Sequence, residues 1–275
     1  MPPDALALIR RAKAEAKTKA KATAAPDTVA APLPPLALLH VPPLPPAVAA
    51  PTLPSNSVHY VPEFISADDE NLLLQHILGP SNAHRWSPGN GRRTQNYGGN
   101  PSVPELTEEL PSWLQQLTTA LVHSGAWPVA PDAVSLPPNH VIINEYMDGR
   151  TGLTPHTDGP LYAARVAVLS LMSDVVLELH RPCDEAVRCE APTRLARMLL
   201  RPRSLNVLDA EAYHLFHGIR ATDADTVVGE SAVAAYGEQA EGVVNSREAG
   251  VSAEGETIAR RRRVSIVFVC KLPEL

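Results

Sequence analysis

The apolar positions of the chain first follow a helical period. In "ISADDENLLLQHILG" they recur every three to four residues, with Ser66 suited to cap the start of a helix and Gly79 to end it. In "PSWLQQLTTALVHSG", the residues Trp113, Leu117 and Leu121 recur at four-residue spacing. The pattern therefore predicts two helices in the first half of a folded body.

After Pro138 the pattern changes to short β-rich runs separated by Gly, Pro and Asp. These runs are "NHVIINEYM", "ARVAVLSLM", "DVVLELH", "RMLL", "SLNVLD", "AYHLFHGI" and "RVSIVFVC". Several short strands after a helical portion predict a mainly β fold with flanking helices, in the form of a β-sandwich or jelly roll. The chain has no Gly-x-Gly-x-x-Gly or P-loop spacing, which argues against a nucleotide-binding α/β fold.

Residues 1–57 show neither period. Many of the 28 prolines fall between Ala25 and Pro54, where the sequence is nearly all Ala, Pro, Leu and Val. Such a run favours extended conformers and predicts a linker. The Ala/Lys tract before it predicts a disordered, weakly basic arm, with a targeting peptide or a nucleic-acid-binding arm as alternatives. The folded domain is predicted over residues 58–275.

Charge and cysteine content narrow the class of protein. The net charge of −6 does not indicate a nucleic-acid binder by itself, because residues 221–259 carry eight acidic residues and one Arg. That segment has no sustained period and predicts an acidic, exposed insertion loop.

No apolar run has the length of a membrane span, and three cysteines without C-x-x-C spacing favour a reducing compartment. We expect no membrane partner and a location in the nucleus, the cytoplasm or both, while the tail leaves organellar targeting open.

The candidate chemistry begins at "LTPHTDGPLY". His156 and Asp158 stand two apart before a Gly-Pro turn, and His217 follows at the end of a predicted strand. A His-x-Asp triplet alone is common and proves nothing. Two His and one carboxylate, however, form the facial triad that holds Fe(II) and leaves positions open for a bidentate cosubstrate and O₂.

A second group of polar residues lies on predicted strands. Asn144 and Tyr146 share a face of "NHVIINEYM", and Arg263 shares a face with Ser265 in "RVSIVFVC". Enzymes that combine Fe(II) with 2-oxoglutarate need a cation for its distal carboxylate, and an Arg fork binds a carboxylate bidentately. Arg263 is the candidate, whereas the Args before it are expected to form a solvated loop end.

The order N-x-Y, H-x-D, H, R resembles the AlkB-like Fe(II)/2-oxoglutarate-dependent dioxygenases. The wording "VHYVPEFIS", "GRRTQNYGGNP", "LPPNHVIINEY", "HTDGPLY" and "LFHGI" is similar to the branch known as the sixth AlkB homologue. The resemblance covers about residues 58–271 and excludes the N-terminal tail and the insertion at 221–259. It implies a double-stranded β-helix with His156, Asp158 and His217 as iron ligands and catalytic residues. It also implies that Asn144 approaches the keto-acid end of 2-oxoglutarate, and that Tyr146, Arg263 and Ser265 approach the distal carboxylate.

The resemblance further implies a reaction. O₂ and 2-oxoglutarate would be converted with hydroxylation of a substrate carbon, giving succinate and CO₂, and a hydroxylated N-methyl group would leave as formaldehyde. The expected partner is modified RNA or DNA. The alternatives are a protein hydroxylase or demethylase on the same core and a catalytically weak RNA-binding protein.

One position departs from the family pattern. The family strand carries a second Arg six residues after the first, where this chain has Val269. Lys271 follows two residues later on the same face. Either Lys271 or another cation compensates, or the binding of the cosubstrate is weakened.

The candidate substrate surface is "HRWSPGNGRRTQNYGGNP", residues 84–101. It contains Arg92 and Arg93 for phosphates, Trp86 and Tyr97 for stacking on a base, and several glycines. Its place in the chain matches the nucleotide-recognition lid of the AlkB-like family. The alternative is an ordinary loop whose aromatic residues cover the core and whose Args are solvated.

Overall fold

The computed structural model describes residues 33–38, 41–89, 91–129, 136–182, 193–229 and 241–272. Residues Pro35–Leu275 form one compact unit. The basic arm predicted at the N-terminus lies outside the described residues. The described residues contain two α-helices, α1 (Ala67–Leu78) and α2 (Ser112–His123), and two 3₁₀ turns, Pro80–Arg85 and Ala210–His214.

The strands follow in chain order. They are β1 (Val58–Val61), β2 (Ser87–Pro88), β3 (Arg92–Tyr97), β4 (His140–Tyr146), β5 (Leu153–His156), β6 (Arg165–Leu171), β7 (Val175–His180), β8 (Arg194–Leu200), β9 (Leu205–Asp209), β10 (Phe216–Ile219), β11 (Ala224–Gly229), β12 (Glu241–Val243), β13 (Glu256–Ala259) and β14 (Arg263–Val269).

Two antiparallel sheets build the body. A seven-stranded sheet has the order β1-β9-β6-β14-β4-β3-β2, and a four-stranded sheet has the order β5-β10-β7-β8. One buried apolar cluster contains residues of both sheets, including Val166, Leu177 and Leu208, so the sheets face each other across a core. This arrangement confirms the predicted mainly β fold, and its non-sequential strand order is that of a double-stranded β-helix.

The helices cover the other face of the seven-stranded sheet. On β14, Val264, Ile266 and Phe268 join a second cluster with helix residues such as Leu73 and Leu117. Because side chains alternate along a strand, the residues between them face the opposite sheet. Both predicted helices are confirmed, and Ser66 caps α1 by accepting a hydrogen bond from the backbone N–H of Asp69 at 3.1 Å. 

The chain before β1 differs from the predicted linker. Leu36, Val48 and Leu53 are buried against the body. The backbone N–H groups of Leu36 and Ala37 donate to the side chains of Gln116 and Asp69, at 3.1 and 2.8 Å. The described part of this segment therefore belongs to the compact unit, because scattered Leu and Val residues bury against the body without a period of their own.

The acidic segment also differs from the prediction of an exposed loop. Its described residues include β11, β12 and β13, which form a three-stranded sheet. Val227, Val228 and Val243 are fully buried there. Asp225 is only 1% exposed and pairs with Arg260, whose Nε lies 2.5 Å from Asp225 Oδ2. The expectation of a solvated Arg260 was therefore wrong as well.

A smaller difference concerns local structure. The predicted strand "AYHLFHGI" is a strand only in its last four residues, because Ala210–His214 forms a 3₁₀ turn. Of the described helices, none has the length and apolar character needed to cross a membrane.

Candidate active site

A pocket with a cavity volume of about 140 Å³ lies between the two large sheets. The sequence-predicted residues of the metal and cosubstrate groups all line it: Asn144, His156, Asp158, His217, Arg263 and Ser265. Tyr146 lines it too. The structure therefore brings together in one cavity seven residues that are spread over 122 positions, from Asn144 to Ser265.

Strand pairing places the two histidines side by side. β10 pairs antiparallel with β5 so that His217 and His156 are direct partners, and their ring centroids lie 4.5 Å apart. Gly218 permits this approach, because a Cβ there would lie 2.9 Å from both the Leu153 carbonyl oxygen and Pro155 Cγ. Asp158 follows β5 by two residues, and its Oδ1 lies 3.8 Å from His217 Nε2.

The surroundings of the three side chains suit a metal ion. Nδ1 of His156 lies 3.0 Å from the Thr154 carbonyl oxygen. Because a carbonyl can only accept, Nδ1 carries the proton and Nε2 keeps its lone pair free for a metal. Burial, followed by the positive charge of His217, lowers the pKa of His156, which favours the neutral ligand form.

Two polar atoms of these three side chains lack hydrogen-bond partners. One atom from each of His156, Asp158 and His217 lies within 4.8 Å of the others, and among the described residues no second group of this kind was found. Asp158 Oδ2 and His217 Nδ1 are buried without a hydrogen-bond partner. Unsatisfied buried polar atoms are rare, so this donor set fits a divalent transition-metal ion such as Fe(II).

Tyr213 is a site residue that sequence reasoning missed. Its hydroxyl donates to the carbonyl oxygen of Gly159 at 3.0 Å. Gly159 has φ +87°, so the chain turns immediately after Asp158 in a conformation that favours glycine. The hydrogen bond fixes the loop that carries the carboxylate ligand. A tyrosine four residues before His217 was visible in the sequence, but nothing there linked it to Gly159.

Arg263 is buried in the pocket without an acidic partner. Arg263 is 4% exposed, and one of its terminal guanidinium nitrogens donates to Ser170 Oγ at 2.9 Å. Its Nε has no hydrogen-bond partner, and no described carboxylate pairs with it. Burial lowers its pKa to about 10, so the guanidinium remains charged at neutral pH. A buried, unpaired cation of this kind fits the carboxylate of a ligand.

The structure contradicts the idea that Lys271 compensates for Val269. The Lys271 ammonium donates to the carbonyl oxygens of Asn100 and Glu105, at 2.7 and 3.1 Å. It is 2% exposed and does not line the pocket. Val269 is fully buried in the apolar cluster between the sheets. Lys271 therefore ties the end of β14 to the loop after β3.

The predicted lid is in large part a strand. Arg92–Tyr97 forms β3, which pairs antiparallel with β4 along its whole length. Arg92 lines the pocket, and its positive charge contributes to the lowered pKa of His156. Arg92 has no ion-pair partner among the described residues. It therefore remains a candidate for an anionic substrate.

The other three residues of the predicted substrate surface make contacts with other parts of the protein. Arg93 pairs with Glu145, which is fully buried, and its guanidinium lies 4.3 Å from the centroid of the Trp86 ring. Tyr97 is 1% exposed and its hydroxyl donates to Gln95 Oε1 at 2.9 Å. The structure contradicts a stacking role for Tyr97. Arg93 is paired with Glu145 and covers one face of Trp86, so neither this guanidinium nor this face of the ring is free for a substrate.

No protein-family model matches the chain. A protein of Danio rerio described as the probable RNA/DNA demethylase ALKBH6 is 33% identical over 218 residues, covering 77% of this chain and 84% of that protein. 

Two solved structures align with most of the chain at low identity. "The structure of OsALKBH1" aligns with a TM-score of 0.48 at 13% identity, over 78% of this chain and 97% of that chain. A prolyl hydroxylase from Trichoplax adhaerens, in complex with a peptide fragment of the hypoxia inducible factor oxygen degradation domain, aligns with a TM-score of 0.44 at 10% identity. That alignment covers 78% of this chain and 84% of the hydroxylase. On the extent of its identity to the Danio rerio protein, the chain belongs to the AlkB-like dioxygenase family, close to the ALKBH6 branch.

Proposed function

We propose that the chain is an Fe(II)- and 2-oxoglutarate-dependent dioxygenase that oxidatively demethylates alkylated RNA or DNA. The observation that carries the proposal is the content of one pocket. It holds a His-Asp-His cluster in which Asp158 Oδ2 and His217 Nδ1 lack hydrogen-bond partners and, on the facing sheet, a buried guanidinium without a carboxylate. A protein without a ligand there would leave both a metal-type donor set and a buried cation unsatisfied.

The three ligand residues would hold the iron. His156 and His217 would contribute imidazole nitrogens and Asp158 a carboxylate oxygen, a donor set that suits Fe(II). Bound Fe(II) supplies the redox chemistry by which 2-oxoglutarate and O₂ become succinate, CO₂ and a hydroxylated substrate carbon. The hydrogen bonds from His156 to Thr154 and from Tyr213 to Gly159 hold the ligands in this arrangement.

The facing sheet would bind 2-oxoglutarate. Arg263 offers a two-pronged donor to the distal carboxylate, and Ser265 and Tyr146 project into the same cavity. Asn144 lies in register with Ser265 on the neighbouring strand. This position suits an amide that contacts the keto-acid end. The apolar residues around them exclude water, which strengthens each of these polar contacts.

Two observations support nucleic acid as the substrate. The Danio rerio relative is described as a probable RNA/DNA demethylase. Arg92 presents an unpaired cation at the pocket near His156, where a phosphate of a flipped nucleotide would be attracted. After hydroxylation of an N-methyl group, the product releases formaldehyde and leaves the unmodified base.

The test uses the full chain reconstituted with Fe(II) under anaerobic conditions and then exposed to O₂. Single-stranded oligonucleotides with N-methylated bases, and methylated peptides of matched length, are offered with 2-oxoglutarate. We expect succinate formation coupled to methyl loss from an oligonucleotide, measured by mass spectrometry. Methyl loss or hydroxylation confined to peptides would instead support a protein hydroxylase or demethylase.

A second candidate rests on Val269. An apolar residue at the family's second Arg position, together with the distant Lys271 ammonium, favours a catalytically weak protein that binds RNA. Tight oligonucleotide binding with no succinate formation in the same assay would support it.

A further inference from the structure

Asn206 is a buried amide that the fold itself does not use. It lies on β9, is 1% exposed and lines the same pocket as Arg263. Neither Oδ1 nor Nδ2 of its side chain has a hydrogen-bond partner among the described residues. A buried amide with both ends unpaired is costly and uncommon in folded proteins. It therefore indicates a ligand that is bound in the pocket.

The same fold satisfies another buried asparagine completely. Asn245 is fully buried, its Oδ1 accepts from the Leu199 backbone N–H at 2.9 Å, and its Nδ2 donates to the Leu199 carbonyl oxygen at 2.8 Å. Asn245 thus joins the segment after β12 to β8. The contrast shows that Asn206 is not held by an equivalent structural contact.

Strand register places Asn206 on the cosubstrate side of the pocket. On β9 it pairs with Val168 of β6, which pairs with Val267 of β14. Val267 lies two residues from Ser265 and four from Arg263 on the strand face that lines the cavity. The amide therefore lines the pocket on the same sheet as Arg263, level with Val267 and two strands away from β14.

We propose that Asn206 is a further binding residue for the dicarboxylate cosubstrate, with its Nδ2–H donating to a cosubstrate oxygen. The inference rests on the proposed function. Arg92 and Arg263 are the cationic side chains among the described residues of the lining, and 2-oxoglutarate brings two carboxylates and a keto oxygen. A neutral donor on the apolar wall supplies an additional contact without a second buried charge.

The experiment measures binding rather than turnover. The full chain is loaded with Mn(II) as a stand-in for Fe(II), and 2-oxoglutarate is titrated calorimetrically into the parent, Asn206→Leu and Asn245→Leu. We expect Asn206→Leu to weaken binding about 10- to 100-fold, the range of one hydrogen bond to a charged group. Asn245→Leu, which contacts only the backbone of β8, should bind within about twofold of the parent.

Thermal unfolding without ligand separates binding from folding. Asn206→Leu should have the midpoint of the parent or a higher one, because it replaces an unsatisfied buried amide by an apolar group of similar size. Asn245→Leu should unfold at a lower temperature. If Asn206→Leu does not fold, Asn206→Ala takes its place in the titration.

The outcomes are distinct. Equal affinity of the parent and the folded Asn206 variant would overturn this inference and leave the proposed function standing, with water as the partner of the amide. Absence of 2-oxoglutarate binding to the Mn(II)-loaded parent would overturn the proposed function and the inference together.

Discussion

Arg262 and Arg263 are neighbours in the sequence and meet opposite environments in the fold. Arg263 turns into the pocket, where no described carboxylate pairs with it. Arg262 turns to the other face and pairs with Glu145, as Arg93 also does. We call Trp86, Arg93, Glu145 and Arg262 the Glu145 cluster. Arg92 and Arg93 divide in the same way, with Arg92 on the side of the pocket.

The difference shows how to separate ligand-binding from structural arginines. In the Glu145 cluster two partly exposed cations surround one fully buried anion, so every charge has a partner inside the protein. In the pocket the Arg263 guanidinium has no described carboxylate partner, and Asp158 Oδ2 and His217 Nδ1 have no hydrogen-bond partner. Loss of a pocket group should therefore reduce ligand binding, whereas loss of a cluster group should reduce the stability of the fold.

The largest expected effect is at the metal ligands. Asp158→Ala removes one of three protein donors and should abolish 2-oxoglutarate turnover, as should His156→Ala and His217→Ala. The thermal midpoint of the metal-free protein should stay close to that of the parent. Asp223→Ala, at an exposed acid paired with Arg150, is the control and should keep full turnover. A parental rate of succinate formation in Asp158→Ala would show that the cluster is not the metal site.

The second effect compares the two neighbouring arginines. Arg263→Leu leaves the cosubstrate carboxylate without its partner in a desolvated site. It should weaken 2-oxoglutarate binding by about 2–5 kcal/mol, by analogy with truncated buried charge pairs. Arg262→Leu should leave the affinity unchanged. Calorimetric titration of the Mn(II)-loaded variants measures both, and equal losses in the two variants would contradict the assignment of separate roles.

The third effect concerns the Glu145 cluster. Glu145→Gln keeps the shape of the side chain but removes the charge that two arginines share. It should lower the free energy of unfolding by about 1.5–3 kcal/mol, the range for hydrogen bonds to charged groups. Glu108→Gln, at the more exposed pair with Arg85, should cost less than about 1 kcal/mol. Denaturant unfolding checks both values, and an unchanged stability of Glu145→Gln would leave the cluster without a structural role.

Sequence reasoning succeeded where periodicity and order along the chain sufficed. Alternation on β4 and β14 placed Asn144 and Ser265 on one face, and antiparallel pairing made them direct partners. Both helices had a clear apolar period, and Ser66 marked the start of α1. The prediction failed around β11, because the buried Val residues of a short strand lie among acidic residues that suggest a loop. One of these acidic residues, Asp225, is itself buried and paired.

The remaining misses depend on contacts that are distant in sequence. The pairing of Arg93 with Glu145 joins residues 52 positions apart, and no local pattern shows which Arg finds that acid. Asn206 offered a signal that was overlooked. It is a polar residue in the apolar run "SLNVLD", on a strand whose other inward positions are apolar. Such a residue needs a partner, and the sequence could not show that the fold provides none.

The smallest effect tests whether Arg92 and Arg93 differ as substrate-binding residues. From sequence both were expected to contact phosphates, whereas in the structure only Arg92 lacks an acidic partner. Arg92→Ala should therefore weaken binding of a single-stranded oligonucleotide. It should make the negative slope of log affinity against log salt less steep by about 0.7, the value for one phosphate contact on a single strand.

Arg93→Ala is the matched variant. It should leave that slope unchanged and lower the stability of the fold, because it removes one partner of Glu145 and the cation over Trp86. Fluorescence anisotropy at several salt concentrations measures the slopes, with uncoupled 2-oxoglutarate turnover as a check that the metal centre is intact. Equal slopes for the parent and Arg92→Ala would remove Arg92 from the substrate surface. A lower slope for Arg93→Ala would mean that its pairing with Glu145 opens to admit a phosphate.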